Sequence, residues 1–386
     1  MLIQDYIAKA HEKNEIVAGI YLDLSKAFDT VDHHILTNKL SKFGLRGNAL
    51  KLLKSYLMER TQTVVINGTS ARPREIKIGV PQGSILGPLL FILYINDIVN
   101  VSINGKIMLY ADDTAIFFKH SCSETLQNMV NNALLKISNW LESNYLTLNT
   151  EKTFLQVYSK RKTIEPVSVN IKGAVIKEIK TIKYLGVFID DDLKFASHIS
   201  SISNIISRNI GMIARSKQFL TKPQLLQLYN CLVFPYINYC CFIWGSNYDE
   251  HIRKLVILQK RSMRIVEGIF SPQSTIPIFK KYKKLKVKEV AHLQILLIMH
   301  KYVINDLPLE IRSLVQLAHQ PAYQTRNADH FQNNFSTKKY QLFTFTCLGP
   351  KLWNTHISRN FRLSEIPRSK QIFKNYLKTM FTNLYQ

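Results

Sequence analysis

Residues 109–118 read LYADDTAIFF, an adjacent pair of aspartates, Asp112 and Asp113, with apolar and aromatic residues on both sides. The runs KIMLY (106–110) and TAIFF (114–118) have strand character, and they predict a β-hairpin with the two acids at its tip. Aspartate is also a common turn former, because its side chain satisfies nearby backbone groups. Alone, the stretch is as much a solvated turn as a place where two carboxylates are held together against their repulsion. Its companions in the chain decide between the two.

The first companion is YLDLSKAFDTVDH (21–33), which overlaps the apolar run IVAGIYLDL (16–24). That run reads as a buried strand and puts Asp23 at its end, while VDHHILTNKLSKFG (31–44) reads as a helix ended by Gly44. In isolation Asp23 reads first as a strand-ending carboxylate that caps the next turn, and Asp29 and Asp32 are solvated or helix-capping. The second companion is GVPQGSILGPLLF (79–91). Gly79, Gly83 and Gly87 with Pro81 and Pro88 make a loop whose backbone can come close to a ligand, and Ser84 can cap the helix expected from about Ile85 to Val99. A magnesium ion takes oxygen ligands, and a two-ion phosphoryl-transfer site needs carboxylates from separate segments to hold ions about 4 Å apart. One acid at a strand end and two at a hairpin tip supply such a set if an antiparallel sheet places Asp23 beside Asp112 and Asp113.

The chain has 386 residues, 46% of them hydrophobic, which is enough for more than one compact unit. QTVVINGTS (62–70) suggests a strand entering an Asn-Gly turn. A long helix follows the hairpin at Ser123–Ser143, then strands near Phe154–Ser159, Val167–Ile171 and Tyr184–Ile189. From Ser197 to about Val303 the pattern is almost all helix, residues 305–350 are irregular and polar, and a basic, aromatic tail ends the chain. The expected class is α+β: an antiparallel sheet backed by helices over 1–190, a helical basic module over 191–305, and a basic, aromatic region over 306–386.

The formal net charge is +24, and its distribution is uneven. Residues 1–190 hold 23 Lys/Arg against 17 Asp/Glu, while residues 191–386 hold 28 against 10. Such an excess calls for a polyanion, and phosphate backbones answer by counterion release. At 100° per residue, Arg253, Lys254, Lys260, Arg261 and Arg264 fall on one helix face, opposite Ile252, Leu255, Val256, Met263 and Val266. KKYKKLKVK (280–288) adds six lysines, and a solubilising surface is the plainer alternative for both. The five cysteines show no paired CxxC spacing, the N-terminus has no signal-peptide pattern, and the apolar window 228–245 is broken by Asn230, Pro235 and Asn238. The expectation is an intracellular protein, nuclear or cytoplasmic, with no membrane span.

An acidic strand end, a PQG loop before a helix and a YADD hairpin, in that order, resemble the palm of reverse transcriptases. LDLSKAFDTVDHHIL and GVPQGSILGPLLFILYINDI are similar to the polymerases of jockey-like non-LTR retrotransposons, and LTLNTEKT (146–153) and KYLGVFID (183–190) follow where that family has related blocks. The resemblance implies an RNA-directed DNA polymerase that uses two Mg²⁺ ions, with Mn²⁺ as a substitute, and takes an RNA template, a DNA primer and dNTPs. It implies metal binding by Asp23, Asp112 and Asp113, and a steric gate against the ribose 2′-OH at Phe28. Gln82, Gly83 and Tyr110 would line the nucleotide and template side, Lys152 would be the acid for the leaving pyrophosphate, and Tyr184, Leu185, Gly186 and Val187 would grip the primer end. The basic second half would be the thumb. Only 22 residues precede Asp23, where the family places its fingers, so the expectation is the palm and C-terminal portion of a longer polyprotein, truncated at its N-terminus. The alternative is an inactive nucleic-acid-binding fragment or relic of such a polymerase.

Overall fold

Every residue of the strand Ile16–Leu22 is buried, which requires cover on both faces of a sheet. The computed structural model describes residues 1–161, 163–269, 273–317, 330–333 and 341–385, and it places this strand at the centre of five. From one edge the order is Lys177–Glu178, Phe154–Tyr158, Ile16–Leu22, Asp113–His120, Lys106–Tyr110. Pairing is antiparallel except at the outer edge, where Lys177–Glu178 runs parallel to Phe154–Leu155. The expected antiparallel sheet carries one short parallel edge.

Side chains of a strand alternate between faces. Ile16, Ala18, Ile20 and Leu22 join a core with Leu126, Val130, Leu134 and Ile137 of the helix Ser123–Ser143 and with Phe91. The other face is aromatic and polar: Tyr21 and Tyr158 share a 2.7 Å hydroxyl hydrogen bond, Tyr158 donates to Gln156 Oε1 at 2.7 Å, and Phe117 meets the Tyr21 ring edge-on. One face is therefore set by aliphatic packing and the other by specific hydrogen bonds.

The chain divides into two units, Ala10–Leu185 and Met1–Lys9 with Gly186–Gln386. In the first, the helix His33–Lys42 starts where Asp32 Oδ1 accepts from Ile35 N at 2.8 Å, so Asp32 is a cap. The Asn67–Gly68 turn joins Val65–Ile66 to Thr69–Ser70 with both turn residues at positive φ, as a two-residue hairpin demands. The helix Gly47–Leu57 is an addition to the sequence reading. Its moderate apolar pattern carries no side-chain cap. The helix expected to reach Val99 runs Leu86–Ile95 and tightens into a 3₁₀ turn at Asn96–Asn100. The expected strands Val167–Ile171 and Tyr184–Ile189 are also corrected. Only Asn170–Ile171 pairs in the first, and the second is interrupted at Leu185 and Gly186, both at positive φ, between Thr181–Tyr184 and Val187–Asp190.

In the second unit the principal helices are Ala196–Ser216, Lys222–Leu232, Asp249–Glu267, Val287–Val303, Phe345–His356 and Lys370–Asn383. Their core contains Tyr229, Trp244, Phe279, Trp353 and Phe373. Buried Gln259 donates to Tyr229 Oη at 3.1 Å and to the Leu285 carbonyl at 2.9 Å, which fixes a polar group inside that core. Much of the polar stretch 305–350 lies outside the described residues. Among the described residues no helix is long and apolar enough to cross a membrane.

Candidate active site

Antiparallel register brings the acids together. The ladder ends where Leu22 pairs with Thr114, so Asp23 and Asp113 each stand one residue beyond that last pair. Asp113 also closes the hairpin against Tyr110, leaving Ala111 and Asp112 as a two-residue turn. Ala111 takes φ +53°, a region that residues with a Cβ other than Asn and Asp rarely occupy, and such strain concentrates at functional turns. The sequence placed both acids at the tip; the structure divides them, with Asp112 in the turn and Asp113 on the strand.

Partial burial raises the Asp113 pKa above the ordinary carboxylate value, and the charges of Asp112 and Asp23 add to the rise. Tyr184 lies within the same field: burial, then the charge of Asp113, pushes its phenol up to about 12, and its ring meets Tyr21 at 5.4 Å. Among the described residues no three His, Cys, Asp or Glu side chains converge closely enough to cage a metal ion. Mg²⁺ keeps much of its water and is held by one or two carboxylates plus substrate phosphates. The carboxylates of Asp23, Asp112 and Asp113 are the donor type that ion takes, and a set shared with substrate phosphates need not close by itself.

The segment after Asp23 is fastened on both sides. Ser25 N donates to the Thr147 carbonyl at 2.8 Å and Asn149 N donates to the Asp23 carbonyl at 2.8 Å, so LTLN (146–149) runs beside the acid. Lys152 stands three residues on, exposed, in a 3₁₀ turn capped by Asn149 Oδ1. On the other side the PQG loop docks on residues 28–33. Val80 N donates to the Phe28 carbonyl at 2.8 Å and Gly79 N to the Val31 carbonyl at 2.7 Å, while His33 Nε2 bonds the Gly79 carbonyl at 2.7 Å. Gly79 is obligatory here: its φ is +90°, and a Cβ would lie 2.9 Å from the Asp29 carbonyl oxygen.

The gate candidate Phe28 is half-buried against Phe91, with ring centroids 4.5 Å apart. Gln82 donates from Nε2 to Asp29 Oδ1 at 2.7 Å, and both line a cavity of about 780 Å³ with Arg60, Thr61 and Gln62. Asp29, His33 and Asn149 are the residues that sequence reading left without a role. Their partners stand 46 to 126 positions away in the chain, so no local pattern announces them. Ser84 does what its position predicts, accepting from Gly87 N at 2.9 Å.

The cationic helix also has the predicted faces. Ile252, Leu255, Met263 and Val266 are buried, Arg253, Lys254 and Arg261 are exposed, and Lys260 and Arg264 are half-buried. Arg264 spends one donor on the Gln273 carbonyl. The lysine run 280–288 is less available than its composition suggests. Lys281 bonds Glu267, Lys284 bonds Asn230 Oδ1, Lys288 pairs with Asp249, and Lys286 lies over the Tyr385 ring.

Residues 2–189, the whole of the sheet end just described, match the model of the reverse transcriptase (RNA-dependent DNA polymerase) family. These residues form a reverse transcriptase domain, and the relatives it is similar to are polymerases of non-LTR retrotransposons. It is 30% identical over 274 residues to the probable RNA-directed DNA polymerase from transposon X-element of Drosophila melanogaster, covering 69% of this chain and 30% of that protein. It is 28% identical over 278 residues to the RNA-directed DNA polymerase from mobile element jockey of Drosophila funebris, again covering 69% and 30%. The chain thus spans about a third of the length of these relatives. Among solved structures, a telomerase from Candida tropicalis in complex with a fragment of telomeric RNA aligns with a TM-score of 0.42 at 12% identity, covering 98% of this chain and 52% of that one.

Proposed function

We propose that this chain carries the polymerase centre of an RNA-directed DNA polymerase, adding a dNMP from a dNTP to the 3′-hydroxyl of a DNA primer on an RNA template and releasing pyrophosphate. What supports it most is the ladder that ends one residue short of both Asp23 and Asp113, beside the Asp112 turn and inside a reverse transcriptase domain. Asp23 and Asp112 would hold two Mg²⁺ ions, or Mn²⁺ in their place, with Asp113 completing the acidic set. Bound there, the ions supply activation of the attacking hydroxyl and neutralisation of the triphosphate.

The protein's own groups position the reactants. Phe28, backed by Phe91, presents its ring where a ribose 2′-hydroxyl would clash. Gln82, Gly83 and Tyr110 line the nucleotide and template side, and Asp29 orients the Gln82 amide through their hydrogen bond. Tyr184, Leu185, Gly186 and Val187 hold the primer end. Lys152 donates a proton to the departing pyrophosphate. The helical module acts as a thumb, with Arg253, Lys254, Lys260, Arg261 and Arg264 on the nucleic-acid backbone. RNA and DNA substrates set its place of action in the nucleus or cytoplasm.

Primer extension on an RNA template with dNTPs and Mg²⁺ or Mn²⁺, run beside the double variant Asp112→Ala, Asp113→Ala, tests this reading. Extension by the parent that disappears in the variant supports it. A folded parent that binds template and extends nothing is instead an inactive nucleic-acid-binding fragment or relic.

A further inference from the structure

The turn joining the helices Ala196–Ser216 and Lys222–Leu232 exposes an aromatic ring. Phe219 is 80% exposed, and it shares a shallow cavity of about 610 Å³ with Arg215, Lys217 and Gln218. The turn is firmly built. Phe219 N and Leu220 N both donate to the Ser216 carbonyl at 3.1 Å, and Thr221 opens the next helix with a capping box closed by Gln224. Among the described residues Phe219 is the most exposed Phe, Tyr or Trp ring, and the turn fixes where it stands.

Two cations line the same cavity, Arg215 from the last turn of the preceding helix and Lys217 from the residue that follows it. Arg215 is exposed and runs along its helix over Gly211, where an added Cβ would lie 3.7 Å from Nη1. Lys217 Nζ stands beside Gly268, 3.8 Å from where a Cβ on that glycine would be. An aromatic face flanked by positive charge is what a single nucleic-acid strand takes: the base stacks, and the phosphates on either side meet Arg or Lys. A duplex offers no free base face, and an acidic peptide offers charge without the stacking surface. The surplus of positive charge in residues 191–386 favours the polyanion.

We propose that Phe219, Arg215 and Lys217 form a binding site for single-stranded nucleic acid, one base on the ring and the adjoining phosphates on the two cations. The proposal rests on the nucleic-acid reading of the chain and adds a site that the polymerase centre does not include. It is tested on the full chain in EDTA, which separates it from catalysis, by fluorescence anisotropy with a labelled oligothymidylate, the same oligomer with abasic residues, and a duplex of equal length. Phe219→Ala weakens binding of the oligothymidylate about tenfold while leaving the abasic oligomer and the duplex within about twofold, and Phe219→Trp restores affinity with tryptophan quenching on binding. Arg215→Ala with Lys217→Ala makes the dependence of log affinity on log salt shallower by about 1.4. Equal weakening of all three probes by Phe219→Ala, or none, overturns the proposal, as does Phe219→Trp that binds without quenching. Selective loss in EDTA combined with absent primer extension would leave this site standing and remove the polymerase reading.

Discussion

The two units treat charge in opposite ways. At the sheet end of Ala10–Leu185, Asp23, Asp112 and Asp113 are kept near one another, and the Asp113 carboxyl is raised by burial and by its two neighbours. In the helical unit, Glu267 is surrounded by Lys222, Lys281 and Tyr282, whose hydrogen bonds pull its pKa down to about 2. The first arrangement weakens the fold and the second strengthens it. Like charges left together point to something supplied from outside, whereas an acid closed in by lysines belongs to the structure. The same contrast divides the lysines themselves: Lys222 and Lys281 are spent on Glu267, and Arg253, Lys254 and Arg261 face solvent.

The sharpest way to break this contrast is to remove a carboxylate from each side. Asp112→Ala is expected to lower primer extension by on the order of a thousandfold while template affinity, read by anisotropy, stays nearly unchanged. Parallel loss of binding and extension would mean that Asp112 supports structure and not chemistry. Phe28→Ala is expected to raise ribonucleotide incorporation relative to deoxyribonucleotide by about tenfold, since a steric exclusion of one hydroxyl is being lifted. Unchanged sugar selectivity in single-nucleotide extension would take the gate role away from this residue.

Glu267→Gln should act on stability. A carboxyl whose folded pKa lies below its unfolded value contributes stability above the unfolded value, and that contribution is lost as the pH falls through the folded one. The variant is therefore expected to melt about 3–5 °C below the parent at pH 7, with the difference closing between its ordinary value of 4.5 and about 2. A gap that stays constant across that window would show that the amide disturbs packing and that charge is irrelevant.

The sheet end was legible in the sequence because each of its parts is locally encoded. Apolar residues from Ile16 to Leu22 make a strand, the YADD turn joins two runs of β-branched and aromatic residues, and Ser84 and Asp32 are capping types at helix starts. The helix Ser123–Ser143 was equally plain from its periodicity. What escaped was produced by pairing at long range. Asp29 has no local reason to hold Gln82, and His33 none to hold Gly79. The lysine run misled for a related reason: composition counts charges, but the partners of Lys281, Lys284 and Lys288 come from other helices. The break at Leu185 and Gly186 was hidden because the residues on both sides favour strands, and only the positive φ of two adjacent residues turns the chain.

The smallest effect concerns Asp113, and it carries the contrast furthest. Its folded pKa lies above its ordinary value of 3.8, so between those two values the folded state binds more protons than the unfolded one, and stability falls as the pH rises. Above the folded value the cost is fully present in protein free of divalent ions. Asp113→Asn removes the charge and keeps the shape, and in EDTA at pH 7 it should melt about 1–2 °C higher than the parent, an advantage that disappears below pH 3.8. Added Mg²⁺ should then raise the melting temperature of the parent more than that of the variant, because the ion relieves a repulsion the variant no longer has. A variant that melts lower than the parent in EDTA would place Asp113 among the structural acids, alongside Glu267, and the opposition between the two units would fail at the residue chosen to define it.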